Sequence, residues 1–465
     1  MKSLNEKRWF WIVIAIVVIL NAAIWAFLDE SVRLKQAGDS DSWYKPSVGL
    51  YLHGEFVYPD GSDNATLYRP PAFPIFAAGL FTLAGGPSPN AIALGQIILL
   101  LLTGLIFRNT VNDWLPGWGT AGMALVLLNP NVFTVAQFTQ SDTLFLFFVT
   151  CVLWAILKYA RGSNGFLFAL LTGVGLAAAT LTRPTAQFLI VVLPIALPLI
   201  EIANGRIAHW HLALAKGSLA AALAIALLLP WAQYVKSIEG AYDLSSAEVK
   251  ARYIWDQIAI IEAQQSGLSY HDAEKKQPAQ MAALAERYGD KWQSMSEAER
   301  FKAQLREGYD VLLSYPAKSL AIAYARSILQ FFAAGGSGRW HYLLLEDPEF
   351  LAEAWFESAQ TDLTGMLSSV FGSAPPQAMV LSAVCLGFVI VARVLGLVGL
   401  ITVAARQHWA LLLVLCAVIN YFALVHLFVG NSRYRISIEP ALMFLFLLGV
   451  EASWNRWRER ERANS

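Results

Sequence analysis

The chain has 465 residues, of which 56% are hydrophobic and 15% charged, whereas an ordinary soluble protein carries nearer a quarter of charged residues. That balance excludes a soluble domain and reads as an all-α integral membrane protein with several spans. Its 34 basic and 34 acidic residues cancel, so no global positive field points to nucleic acid, and the charges inform only through their positions.

Apolar stretches of bilayer length run from Trp9 to Leu28, Asn90 to Phe107, Trp118 to Phe138, Thr143 to Tyr159, Phe166 to Leu181, Ala186 to Ile200 and Leu212 to Val235. Three more run from Ala378 to Ala405, Trp409 to Val429 and Ile436 to Val450. A hydrocarbon core about 30 Å thick needs roughly 20 residues per helix, which predicts about ten transmembrane helices. The first follows Lys2, Lys7 and Arg8 with no small-residue cleavage site after it, as in a retained signal anchor. An even count puts both termini on one side. Arg108, Lys158, Arg161, Arg206, Lys216, Arg406 and the tail Arg456, Arg458, Arg460 and Arg462 fall on that side with the N-terminal cations, so the positive-inside rule predicts cytoplasmic termini. Cys151, Cys385 and Cys416 all lie in apolar runs and form no disulfide framework.

Two apolar segments break the spanning pattern. Pro70 to Leu83 is short and holds Pro70, Pro71 and Pro74, and Ala317 to Phe332 is interrupted by Lys318 and Arg326; both predict helices lying at the membrane interface. Ser245 to Arg306 is rich in Ala, Glu, Lys and Gln and predicts short helices outside the bilayer. Three regions result. Residues 1–235 form an N-terminal membrane core whose first external loop covers 29–88. Residues 236–377 form an external helical loop between the seventh and eighth spans, with interfacial helices, and 378–465 form the last spans and a cytoplasmic tail.

The polar residues of interest fall on the side opposite the termini. The first loop reads Gly38-Asp39-Ser40-Asp41-Ser42-Trp43-Tyr44. A carboxylate there can act as general base towards a hydroxyl, while a solvated turn with helix-capping aspartates explains the same spacing. Two carboxylates are too few to establish a cation site, so no metal ligand is assigned and a divalent metal stays open. Arg69 precedes Pro70-Pro71, which fix the backbone, so its guanidinium can face a phosphate; snorkelling to lipid headgroups is the other reading. Arg433 and Arg435 bracket Tyr434, with Glu439 one helical turn after Arg435 and placed to pair with it. Outward arginines run against the positive-inside rule and point to an anionic ligand, against simple anchoring of a helix end. Asp142 follows Gln137 and Gln140 at bilayer level, where an acid is functional by default unless it only caps the helix from Thr143. Arg183-Pro184, read alone, is a turn between spans. Asn64-Ala65-Thr66 is a glycosylation sequon, and Arg393 interrupts a long apolar run.

In order, the first-loop acid with Tyr44, Tyr68-Arg69-Pro70-Pro71-Ala72-Phe73-Pro74, Gln140-Ser141-Asp142-Thr143-Leu144-Phe145, Leu181-Thr182-Arg183-Pro184 and Asn431-Ser432-Arg433-Tyr434-Arg435 resemble a known family. It is the polyprenol-phosphate-sugar-dependent glycosyltransferases of the integral-membrane C superfamily, which includes protein O-mannosyltransferases and the lipid A aminoarabinose transferase. The resemblance implies a multi-pass protein of the inner (plasma) membrane with an external or periplasmic site. Its donor is a polyprenyl-phosphate sugar, its acceptor a glycolipid, glycan or protein, and membrane lipids surround it.

By the same resemblance Asp39 or Asp41 is the base, and Asp142 matches an acid near the reacting groups. Arg69 stands where the aminoarabinose transferase has a phosphate-contacting lysine, with Arg183, Arg433 and Arg435 as further phosphate-binding candidates. Tyr44, Tyr68, Tyr434, Gln140 and Glu439 are the substrate-binding candidates. Tyr68 replaces the acid that helps to hold a metal in that relative, a departure from that metal site that leaves a divalent metal open. A competing class, a transporter or flippase of a lipid-linked saccharide, predicts ionisable groups near the bilayer midplane; here only Arg393 fits that pattern.

Overall fold

The computed structural model describes residues 2–34, 39–62, 67–268, 270–344 and 376–464. The sequon Asn64-Ala65-Thr66 and part of the external loop, 345–375, lie outside the described residues. Among those described there are helices, short 3-10 turns and loops, and no strand.

Among the described residues eight helices are long and apolar enough to cross a membrane: Glu6–Phe27, Pro89–Trp114, Asp142–Ala160, Gly165–Thr182, Pro184–Ala203, Ile207–Glu239, Pro376–Ala405 and Ser432–Arg462. The other two of the ten expected stretches are irregular. Trp118 to Phe138 is a pair of helices, Gly119–Leu127 and Pro130–Gln137, bent by 60°. The break falls where Pro130 removes a backbone donor and Asn129 turns its side chain to accept from the backbone N–H of Asn131 at 3.0 Å. Trp409–Val425 is 17 residues, about 26 Å at the α-helical rise. By length and apolarity, eight helices among the described residues qualify as spans, or nine if the bent pair is one.

The first loop is helical rather than open. A 3-10 turn, Glu30–Leu34, precedes helix Asp39–His53, which packs on helix Ala72–Ala84 through Trp43 against Phe73 and Tyr44 against Phe81, with ring centroids 5.3 and 5.8 Å apart. Two aspartates in the first turn of Asp39–His53 suit the positive end of its dipole. In the external segment, helices Ala247–Ser266 and Glu297–Ser314 pack together, the second started by a capping box between Ser296 and Glu299. Trp255 is buried there and donates to the Gln304 carbonyl at 3.1 Å, so it belongs to the loop's own core. Helix Ala317–Ala333 follows.

Pro376–Ala405 and the last helix approach so closely that their crossing requires glycine. A Cβ on Gly399 would lie 1.9 Å from the Leu445 carbonyl oxygen, and one on Gly449 1.9 Å from that of Leu395, the small-residue contact of membrane helix pairs. Farther along the bundle, Arg108 pairs with Glu6 at 3.0 Å, Lys158 with Asp113 at 2.7 Å and Arg406 with Glu451 at 2.8 Å. The other end holds a different set of charges.

Candidate active site

Six short stretches meet at that end, each placed by a helix terminus or a proline. Asp39 opens helix Asp39–His53, and Arg69 precedes the two prolines that lead into Ala72–Ala84. Asp142 is the first residue of its helix. Arg183 ends Gly165–Thr182 in an extended conformation, as expected before a proline. Arg433 lies in the turn Ser432–Arg435, whose start is capped by Asn431 accepting from the Arg433 N–H at 2.9 Å. Arg339 lies in the short helix Gly338–Leu344.

Arginine bridges join the two carboxylates. Arg69 pairs with one oxygen of Asp39 and Arg433 with the other. Arg69 also donates to the Ser42 hydroxyl at 2.9 and 2.7 Å, and its guanidinium lies 4.5 Å from the Trp43 ring centroid and 4.8 Å from that of Tyr68. Arg433 donates from Nε to Asp142 at 3.0 Å. Arg183 holds the same Asp142 oxygen at 3.1 Å and donates to the Ser141 hydroxyl at 3.0 Å, while Arg339 stands 3.7 Å from it. The Asp142 side chain is 1% exposed and that of Asp39 20%, so the cluster opens at Asp39 and is closed at Asp142.

Among the described residues four guanidinium groups face two carboxylates, a formal excess of two positive charges in a largely buried place. Buried charge without a partner is strongly unfavourable, so the arrangement suits an anion. Burial alone would push the Asp39 carboxyl up, but Arg433 and Arg69 oppose it and hold it well below the usual carboxylate range. Burial lowers the Arg69 guanidinium from its ordinary value, with Asp39 opposing, and brings Arg339 down to about 10. A divalent cation at these carboxylates would sit among four cations. The donor set therefore does not fit a metal, and among the described residues no three His, Cys, Asp or Glu side chains gather to hold one.

Of the acid pair left open by the sequence, Asp39 is in the cluster and Asp41 is outside it, about half exposed and paired with Lys45 at 2.9 Å. Asp142 does not cap its helix: Ser141 is the preceding residue, and no side-chain cap bond forms. Arg183-Pro184 is more than a turn, because its guanidinium is part of the cluster. Arg435 is not brought to the cluster. It is wholly buried, paired with Glu439 at 2.6 Å, and donates to the carbonyls of Phe331 and Ala334 at 2.6 and 2.8 Å. Glu439 is likewise spent on Arg435, on Arg393 at 3.5 Å and on Asn129 at 3.1 Å, which places Arg393 in the bundle interior.

Tyr68 flanks Arg69, Tyr434 stacks on His426 with centroids 4.2 Å apart, and Tyr44 packs on Phe81. Gln140 is buried with neither amide atom partnered among the described residues. Sequence reasoning missed Arg339, Ser42 and Ser141. The available signal for Arg339 is its setting, Gly335-Gly336-Ser337-Gly338-Arg339-Trp340, a polar glycine-rich break directly after an apolar helix.

No family model and no curated protein matches the sequence. Among solved structures the chain is similar to the archaeal oligosaccharyltransferase AglB from Archaeoglobus fulgidus. For AglB in complex with an inhibitory peptide and a dolichol-phosphate, the TM-score is 0.51 at 14% identity, covering 98% of this chain and 52% of that one. For the apo form it is 0.51 at 13%, covering 100% and 53%. The chain thus spans about half the length of these oligosaccharyltransferase structures. A weaker likeness, TM-score 0.40 at 14% identity over 95% of this chain and 78% of that one, is to ArnT from Cupriavidus metallidurans bound to undecaprenyl phosphate. At such identities the likeness to AglB is one of fold. The chain has the helical membrane fold seen in AglB.

Proposed function

We propose that the protein is a glycosyltransferase that takes a sugar from a polyprenyl-phosphate donor and passes it to a hydroxyl of a glycolipid, glycan or protein. The observation that carries this reading is the surplus of guanidinium groups over carboxylates at one end of a membrane bundle. A lipid phosphate emerging from the bilayer is an anion of the right kind at that level, and AglB, whose fold the chain shares, has been solved with dolichol-phosphate.

In the reaction, the acceptor oxygen bonds to the anomeric carbon as the bond from that carbon to the phosphate oxygen breaks. The electron pair leaves on the phosphate, and the configuration inverts. Arg69, Arg183 and Arg433 meet the charge that develops there, the electrostatic contribution that dominates such transfers. Asp39 takes the hydroxyl proton. Arg69 and Arg433 hold Asp39 when no phosphate competes for them; a donor phosphate draws on the same two guanidinium groups and leaves the carboxylate a stronger base. Asp142 keeps Arg183 and Arg433 in position, and Tyr68, Tyr434 and Gln140 border the reacting groups.

The site faces the external or periplasmic side of the inner membrane. In support, Arg108, Lys158 and Arg406 lie towards the other end of the bundle, which the positive-inside rule makes cytoplasmic, with both termini. The test is an assay in proteoliposomes with a radiolabelled polyprenyl-phosphate sugar and a membrane extract as acceptor source. Label passing into glycolipid, glycan or protein is the expected result; label crossing the bilayer while still on its carrier would replace the transferase with a flippase.

A further inference from the structure

Arg339 is held unusually firmly for a residue outside every span. The next residue, Trp340, donates to the Pro130 carbonyl at 2.9 Å and stacks on Phe133 with centroids 5.6 Å apart, which fixes one side of the short helix to the broken span. His341 lies 3.3 Å from the Ser382 hydroxyl, which fixes the other side to Pro376–Ala405. Between these anchors the Arg339 guanidinium is buried at 5% exposure, and its Nε and Nη2 find no hydrogen-bond acceptor among the described residues. The nearest carboxylate oxygen, on Asp142, is 3.7 Å away, beyond hydrogen-bond length, and is already shared by Arg183 and Arg433. A buried guanidinium whose donors are left open among the described residues is placed to take a further acceptor.

We propose that Arg339 is a fourth phosphate-binding arginine, and that the four guanidinium groups against two aspartates favour a phosphate monoester dianion over a singly charged phosphodiester. This rests on the transferase reading and deepens it. The donor is a phosphodiester with one negative charge, and the spent carrier is a monoester with nearly two. An array two charges in excess thus matches the leaving group better than the bound donor. Contacts stronger in the transition state than in the ground state accelerate the chemical step, so Arg339 acts on turnover more than on donor binding, and the spent carrier binds tightly.

The experiment compares dodecyl phosphate with its methyl diester, binding each by calorimetry to the full-length protein in detergent at pH 8. Wild type is expected to bind the monoester about tenfold or more tightly than the diester, as charge-assisted bidentate contacts allow. In Arg339→Ala that preference collapses to within about threefold while diester affinity changes little, and Arg339→Lys, which keeps the charge without the fork, restores part of it. Thermal unfolding of each variant confirms that it is folded; should the alanine variant not fold, Arg339→Gln and Arg339→Lys carry the comparison. Equal affinities in wild type overturn the proposal. So does a preference that survives in folded Arg339→Ala or Arg339→Gln, which is the outcome if water alone satisfies the guanidinium. No sugar is transferred in this assay, so its result stands apart from the proteoliposome test: absence of transfer there leaves the monoester preference measurable, and absence of the preference here leaves transfer measurable.

Discussion

Arg433 donates to Asp142 at 3.0 Å across 291 residues of sequence. With another nitrogen Arg433 holds Asp39 in the first loop, so one side chain at the start of the last span closes the first loop and the middle of the chain into one charged network. The Arg69–Asp39 and Arg183–Asp142 pairs are thereby joined into one site.

Asp39 and Asp41 are predicted to differ sharply. Asp39→Asn removes the proton acceptor and lowers transfer by about 10²- to 10⁴-fold, the range for a lost general base. Asp41→Asn removes only an exposed pair with Lys45, a contact that contributes at most about 1 kcal/mol, and leaves transfer within about threefold. Initial rates with a labelled donor check both.

Glu439 is predicted to matter for folding. Glu439→Ala leaves Arg435 and Arg393 without their shared carboxylate, and breaking a buried pair from one side costs about 3–5 kcal/mol. The expected outcome is a large drop in the midpoint of thermal unfolding in detergent, with little folded protein recovered. A modest drop would mean that the two arginines find other partners.

The glycine crossing gives a contrast along one helix. Gly399→Ala forces a methyl against the Leu445 backbone and is expected to destabilise by about 1–3 kcal/mol, as overpacking does. Gly396→Ala, whose added carbon meets only the Leu445 Cβ at 3.9 Å, is expected to be neutral or slightly stabilising, since alanine favours the helix. Unfolding midpoints of the two variants compare them directly.

Asp256, on the external helix Ala247–Ser266, governs a pH dependence. Burial pushes its carboxyl up to about 6, opposed by the hydrogen bond from the Tyr270 hydroxyl at 3.3 Å. The folded chain therefore holds this proton more tightly than the unfolded chain, where the value is near 3.8. The resulting stabilisation is complete below the unfolded value and is lost as pH rises through about 6. Asp256→Asn escapes that loss. It should exceed wild type in stability at pH 7, by an amount on the order of 2 kcal/mol, and the gap should close by pH 4. A gap independent of pH contradicts the assignment.

Much of the bundle is legible in the apolar runs, because a span must be apolar for bilayer length whatever it packs against. The irregular stretches are legible only in part. Pro130 in the Trp118 to Phe138 run marks a possible break, but only tertiary packing sets its 60° bend. Within the site, the Arg435 to Glu439 pair follows from helical spacing, and so does the pairing of Asp41 with Lys45 once helix Asp39–His53 is taken to begin at Asp39. Read as an open loop, the same residues leave the two aspartates equivalent. Arg183 and Arg339 carry no local pattern that separates a site from a turn. Their roles come from contacts with Asp142, at 41 and 197 positions' remove, and only the folded chain brings them there.

A cryo-electron microscopy map of the protein with a polyprenyl phosphate bound shows where the lipid phosphate sits. Phosphate oxygens are expected within hydrogen-bond distance, about 3 Å, of Arg69 and Arg433, with Asp39 released from at least one of them. A phosphate held elsewhere, with the Asp39 to Arg69 and Asp39 to Arg433 pairs intact, would contradict this placement.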